Sequence, residues 1–182
     1  MSTTAFDYHR PASVDEAIQL LQQHGDDAKL LAGGHSLIPS MKLRLATPAN
    51  LIDIGRLEDL KYIRQESGYL AIGAAVTHWE IESSELVGEK SPLLAQTAAI
   101  IGDIQVRNKG TIGGSLAHAD PAADYPAAIL ASEAQICTRG PDGERTINAA
   151  DYFIDIYLTS LQPDEIITEV RVPVQAANAG SA

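Results

Sequence analysis

The sequence predicts an α+β fold built as two units. Three observations carry that prediction. Strand and helix patterns mix along the 182 residues without the strict alternation of a doubly wound sheet. Hairpin signals at Ser67-Gly68 and Pro141-Asp142-Gly143 point to antiparallel pairing in the later part of the chain. Two glycine turns, Ala32-Gly-Gly-His-Ser36 and Thr111-Ile-Gly-Gly-Ser115, fall one in each unit, and each leaves an apolar run.

The first unit, residues 1–55, reads as β-α-β-β. Residues 5–12 are extended up to Pro11. Ser13-Val-Asp-Glu16 is a capping box. Val14, Ala17, Ile18, Leu20 and Leu21 then recur at helical spacing, and Gly25 is placed to end a helix over 14–24. Lys29-Leu30-Leu31 is a short buried strand running into the first glycine turn. A short helix from Ile38 to Leu43 and a strand over Asn50–Ile54 complete the unit.

The second unit, 56–174, opens with a connector at Leu57–Leu60. Tyr62–Gln65 and Tyr69–Ile72 form the first hairpin. Thr77-His-Trp-Glu80 is a second capping box, and Ser91-Pro92 starts an apolar helix to Ile101. Ile104–Lys109 leads into the second glycine turn. A small-residue helix spans Pro126–Ser132. The second hairpin pairs Ala134–Thr138 with Glu144–Ile147. A short helix over Asn148–Phe153 and a last strand over Ile166–Val172 follow. Residues 175–182 carry no periodicity and read as a linker to a further C-terminal domain.

Composition excludes several classes. Hydrophobic residues make up 45% of the chain, enough for a packed core. A formal net charge of -11 disfavours nucleic-acid binding, which needs a basic face. The lone Cys137 rules out intrachain disulfides and a cysteine-ligated cluster, and reads as a small buried hydrophobe. The five histidines show no metal-ligand spacing, so no metal site is expected. No apolar run reaches the ~20 residues of a transmembrane helix. The N-terminus lacks the basic and apolar regions of a secretory signal, which makes a cytoplasmic location the default.

The glycine turns carry the functional signal. Neither is a G-x-G-x-x-G fingerprint or a P-loop. Paired glycines at φ > 0 would let consecutive N–H groups face one anion and form a nest. Two such turns suggest two grips on one phosphorylated ligand. His35 and His118 lie inside these regions, either bonding the turn backbone or touching the ligand. Asp120 and Asp124 admit three readings: a general acid and base, caps of the local turn and helix, or acceptors for ribityl or ribose hydroxyls. No catalytic constellation is readable, so no catalytic residue is named.

Three stretches together bear a specific resemblance. They are Ala32-Gly-Gly-His-Ser-Leu-Ile-Pro-Ser-Met-Lys-Leu-Arg44, Gln105-Val-Arg-Asn-Lys-Gly-Thr-Ile-Gly-Gly-Ser115 and Ala119-Asp-Pro-Ala-Ala-Asp124. The chain resembles, from about Phe6 to Pro173, the FAD-binding medium subunits of molybdenum hydroxylases, the family of aerobic carbon monoxide dehydrogenase and xanthine dehydrogenase. The resemblance implies the vanillyl-alcohol-oxidase (PCMH) type of FAD fold, with FAD held between a small α/β unit and a larger, mainly antiparallel one.

Carried over by position, Lys29, Leu30, Leu31, Ala32, Gly33, Gly34, His35, Ser36 and Leu37 wrap the pyrophosphate. Thr111, Gly114 and Ser115 form the second grip. Ala119 lies in the cofactor loop, and Asp124 reaches the ribityl or ribose hydroxyls. Ile101 and Gly102 lie near the isoalloxazine, and Ile167 near the adenine or ring edge. FAD is expected to be non-covalent, because His35 sits at the pyrophosphate end. The implied activity is electron transfer, active only within a complex. An iron–sulfur small subunit and a molybdenum-cofactor large subunit are the implied partners in a heterohexamer, and a quinone or NAD is the acceptor. An apo assembly module and a stand-alone flavin oxidoreductase of the same fold are the alternatives.

Overall fold

A computed structural model describes residues 2–175 of the chain, and all counts here concern those residues. The expected linker at 175–182 therefore lies, past Gln175, outside the described residues. The smaller sheet contains β1 (Asp7–His9), β2 (Ala28–Leu31) and β3 (Asn50–Asp53), in the order β1-β3-β2 with both pairings parallel. Parallel neighbours need crossovers. These are α1 (Val14–His24) between β1 and β2, and the first glycine turn with α2 (Leu37–Lys42) between β2 and β3.

α1 keeps the predicted limits. Ser13 Oγ accepts the Glu16 N–H at 3.2 Å, while the Glu16 carboxylate accepts the Ala12 N–H at 2.6 Å instead of closing the box on Ser13. The chain turns out through Gly25 at φ +52, a conformation that favours glycine. Val14, Ala17, Ile18 and Leu21 bury one face of α1 against Ile52 and Ile54. Leu57, Leu60, Ala75 and Ile166, all from beyond position 55, complete this smaller core.

The larger sheet has five strands, all antiparallel, in the order β4-β5-β10-β6-β7. They are β4 (Ile63–Glu66), β5 (Tyr69–Gly73), β6 (Gln135–Gly140), β7 (Gly143–Asn148) and β10 (Ile166–Pro173). Both predicted hairpins are present, β4–β5 and β6–β7. Between β5 and β6 the chain runs through α3 (His78–Ser83), α4 (Glu85–Lys90), α5 (Pro92–Ile100), α6 (Ile104–Arg107), α7 (Ile112–His118) and α8 (Asp124–Ala131). After β7 come α9 (Ala149–Tyr152) and a small hairpin of β8 (Phe153–Asp155) and β9 (Leu158–Thr159).

One face of the sheet and the helices share the larger core, with Leu70, Ile72, Leu94, Ile112, Leu116, Tyr125, Ile129, Ile136 and Val170 among its fully buried members. The Thr77 capping box of α3 is closed in both directions. Ser91 occupies the N-cap of α5, but its hydroxyl makes no cap bond.

Candidate cofactor site

The two glycine segments meet in space, and Gly33 is the point of contact. A Cβ on Gly33 would stand 2.0 Å from the Lys109 carbonyl oxygen and 2.8 Å from Gly110 Cα. Backbone lies on both sides, so neither can yield. On the same surface, a Cβ on Gly114 would be 3.9 Å from the Ala32 Cβ. Gly34 takes φ +75, the left-handed conformation expected of a nest. The N–H groups of Gly33, Gly34, His35 and Ser36 donate to no acceptor among the described residues. Consecutive free amides around a left-handed glycine are what an anion needs from an acidic protein.

The second turn departs from expectation. Gly113 and Gly114 do not adopt φ > 0; they lie in the first turn of α7. Thr111 caps that helix, its Oγ1 accepting the Gly114 N–H at 3.1 Å. The Ile112 N–H bonds Val76 O and the Gly113 N–H bonds Ala74 O, each at 3.0 Å, and the Ser115 N–H bonds Thr111 O at 3.0 Å. These amides are taken, so no second nest forms. An N-cap threonine before a run that can turn helical outweighs the freedom of the glycine pair. Gly113 is needed for contact instead: a Cβ there would lie 2.6 Å from Ala74 Cβ. What this segment leaves open to a ligand is the hydroxyl of the partly exposed Ser115, since Thr111 is buried and its hydroxyl serves as the cap.

The other named residues divide into two groups. Lys29 is exposed on β2, whereas Leu30 and Ala32 pack on the smaller core, so these act through the backbone they carry. Leu31 O accepts the Ile54 N–H at 2.9 Å, and Leu37 opens α2. His35 Nδ1 lies 3.3 Å from Gly33 O, which meets the plainer of the two histidine readings. Ile101 is half-buried against the larger core, and Gly102 is exposed at φ +50. Ile167 is only 5% exposed and sits within that core, so the structure does not bring its side chain to an open surface beside the glycine segments.

Asp120 Oδ1 accepts the Ala122 N–H at 2.9 Å and closes its own turn. Asp124 is not a cap: Ala123 holds that position, and Asp124 is the first residue of α8. Its exposed carboxylate has no bonded partner among the described residues, which leaves it available to hydroxyl donors. Ala119 ends α7 in the left-handed region, φ +48, and its carbonyl accepts the Tyr157 N–H at 3.2 Å.

Three contributors escaped sequence reasoning. Tyr157, at φ +56 on the β8–β9 tip, places its ring 5.1 Å from that of His118, with Asp120 beside its phenol. No glycine or asparagine marks that turn. His78 lies directly under Gly110, where an added Cβ would be 2.4 Å from His78 Nε2. Burial, with a smaller push from His35, lowers His78 to about 4, so the ring is neutral near pH 7. Arg107 holds the Ile101–Gly102 turn from behind.

Two surface hollows, of about 470 and 370 Å³, lie elsewhere. One is lined by Arg10, Asp53 and Arg56 and the other by Tyr62, Cys137 and Glu169, and neither touches the glycine segments. Cys137 is buried, and burial pushes its thiol up, as befits an inert core cysteine. Among the described residues no group of three or more His, Cys, Asp or Glu side chains is placed to hold a metal ion.

A small parallel sheet, a larger antiparallel sheet and a free-amide turn between them define a flavoprotein domain of the vanillyl-alcohol-oxidase type. The chain belongs to the family described as FAD binding domain in molybdopterin dehydrogenase, which matches residues 4–175. It is 50% identical over 175 residues to the carbon monoxide dehydrogenase medium chain of Hydrogenophaga pseudoflava, covering 96% of this chain and 61% of that one. It is 41% identical over 182 residues to the 6-hydroxypseudooxynicotine dehydrogenase complex subunit alpha of Paenarthrobacter nicotinovorans, covering 100% of this chain and 62% of that one. The solved carbon monoxide dehydrogenase from Hydrogenophaga pseudoflava, lacking the Mo-pyranopterin moiety of its cofactor, superposes with a TM-score of 0.96 at 50% identity, over 97% of this chain and 62% of that one. The chain thus spans about three fifths of the length of these curated relatives.

The residues present fit FAD. Four free amides at Gly33–Ser36 match a pyrophosphate, and the exposed Asp124 carboxylate matches sugar or ribityl hydroxyls.

Proposed function

We propose that this chain is the FAD-carrying electron-transfer part of a molybdenum hydroxylase of the carbon monoxide dehydrogenase type. The observation that supports it most is the run of free amides at Gly33–Ser36, packed backbone to backbone on Lys109–Gly110. FAD, when bound, supplies a redox centre able to receive electrons from one-electron donors and pass them to a quinone or NAD. The chain's own residues bind and orient. Gly33, Gly34, His35 and Ser36 donate their amides to the pyrophosphate, and Lys29–Leu31 and Leu37 brace that turn. Ser115 adds a hydroxyl on the helix that Thr111 caps, Gly114 leaves room beside Ala32, and Asp124 in the loop from Ala119 accepts from the sugar or ribityl chain. Ile101 and Gly102 lie along the ring. Ile167 supports the sheet beneath and is the weakest member of the set.

In this reading residues 1–55 and 56–174 are the two halves that grip the cofactor. The partners are an iron–sulfur subunit and a molybdenum-cofactor subunit, in a cytoplasmic heterohexamer. A usual iron–sulfur cluster needs four cysteine thiolates, and these 182 residues have one cysteine, so the relay lies outside them. No described helix is long and apolar enough to cross a membrane.

The test is to load the chain with FAD and assay it with carbon monoxide and a dye acceptor, first alone and then with the two other subunits added. Turnover only after reconstitution is expected. Turnover by the chain alone would make it a stand-alone oxidoreductase, and failure to take up FAD would make it an assembly module. Because the His35 ring is engaged with Gly33 O inside the pyrophosphate turn, bound FAD should also be non-covalent. Acid precipitation should leave all yellow colour in the supernatant; a coloured pellet refutes that attachment.

A further inference from the structure

Arg107 joins three groups, two neighbouring carbonyls five and six residues before it and a carboxylate 25 residues away. Its Nε donates to Glu82 Oε2 at 2.7 Å, and one terminal nitrogen donates to the carbonyls of Ile101 at 3.3 Å and Gly102 at 3.2 Å. The Arg107 side chain is 17% exposed and Glu82 is 30% exposed, so the pair is shielded but not sealed. Both carbonyls belong to the turn between α5 and α6. That turn projects outward: Gly102 is exposed, and Ile100 and Ile104 on either side are 70% and 60% exposed. Gly102 stands at φ +50 with Val106 packed behind it, where an added Cβ would be 3.1 Å away. The turn is held from its inner side by one guanidinium fixed to α3.

The pyrophosphate end has separate supports. Lys109–Gly110 is braced by the close approach of Gly33 and by the His78 N–H, which donates to Gly110 O at 3.0 Å. Helix α3 therefore supports both ends through different residues, His78 for one and Glu82 with Arg107 for the other.

We propose that Arg107 is a positioning residue for the flavin ring: it sets the Ile101–Gly102 turn through Glu82 and leaves the pyrophosphate turn unaffected. This rests on the FAD reading above. Guanidinium geometry suits the role, because one rigid fork can serve a carboxylate and two carbonyls at once.

The experiment compares FAD with ADP, which carries the adenosine and pyrophosphate portion and no ring, on the wild-type chain, Arg107→Ala, Arg107→Lys and Glu82→Gln. Arg107→Ala should weaken FAD about tenfold, equivalent to about 1.4 kcal/mol, with ADP affinity unchanged. The visible circular dichroism of bound flavin should change shape in the same variant. A lysine offers one nitrogen to three partners and should not rescue. Glu82→Gln keeps the side-chain shape, should fall between, and decides the matter if Arg107→Ala does not fold. Equal loss of FAD and ADP, or loss of neither, overturns the positioning role. A wild-type chain that binds neither ligand overturns the FAD reading itself, and the proposal with it.

Discussion

Gly33→Ala should strip the protein of flavin. The added Cβ would sit 2.0 Å from the Lys109 carbonyl oxygen and 2.7 Å from its carbon. Side chains can rotate out of a clash, but these atoms are backbone in a segment tied down by Gly110 N–H to Val106 O at 2.7 Å and His78 N–H to Gly110 O at 3.0 Å. The two glycine segments must part. Overpacking of this severity costs about 3 kcal/mol, or roughly 6–12 °C in melting temperature for a chain of this size. Flavin content should fall further than stability does, because the free amides move with Gly33. Gly114→Ala is the control. Its Cβ would meet Thr111 Oγ1 at 2.8 Å, a hydroxyl that can rotate away at the cost of the α7 cap. That cap is worth about 1 kcal/mol, and most flavin should remain. Equal flavin content in folded Gly33→Ala and wild type, by absorbance at matched far-ultraviolet circular dichroism, would falsify the amide-nest reading.

These two glycines also show what the sequence could and could not reveal. Elements whose signals are local were legible. α1 has a cap, an apolar stripe and a terminating glycine, and its limits came out as read. Both hairpins followed from their turn residues. The placement of Gly33 against Lys109 was not legible, since 76 positions separate them and neither residue announces a partner. A Gly-Gly pair is also ambiguous in itself. At Gly33–Gly34 it makes a turn with a left-handed residue; at Gly113–Gly114 it enters a helix, because Thr111 supplies a cap and Ala74 demands a small neighbour.

The same limit explains Arg107 and Tyr157. Arg107 lies inside one of the stretches that carried the resemblance, yet its clamp depends on Glu82, 25 positions back on α3. Tyr157 occupies a left-handed position usually given to glycine or asparagine. Asp124 was placed by resemblance, and the structure adds only that its carboxylate is exposed and unbonded among the described residues while that of Asp120 is not.

Arg145→Ala should be strongly destabilising for a change at a side chain that is 42% exposed. Glu165 is 9% exposed and meets Arg145 in a two-point ion pair, with the second contact at 2.6 Å. The Gln162 N–H at 2.9 Å and the Thr138 hydroxyl at 3.1 Å donate to the same carboxylate. Removing the guanidinium leaves a buried anion with two neutral donors. Breaking such pairs costs about 3–5 kcal/mol. The Arg145 side chain is 42% exposed, so about 3 kcal/mol is expected. Glu165→Gln should cost less, about 1 kcal/mol, since the stranded arginine can hydrate. Arg145→Ala with Glu165→Gln should be more stable than Arg145→Ala alone, because the uncompensated charge is gone. The pH dependence has a definite sign. Burial by itself would raise the Glu165 pKa, but Arg145, Gln162 and Thr138 outweigh it and hold the carboxyl below its ordinary 4.5. The pair's contribution is therefore present above pH 4.5 and is lost as the pH falls through the lower, folded value. His78, lowered from 6.5 to about 4, adds its own loss between those two pH values as protonation of the buried ring opposes folding. The difference between wild type and Arg145→Ala cancels that shared component. In urea melts this difference should stay near its full size from pH 7 to pH 5 and shrink below pH 4.5; a difference that is constant down to pH 2 would mean the guanidinium stabilises by packing rather than by charge.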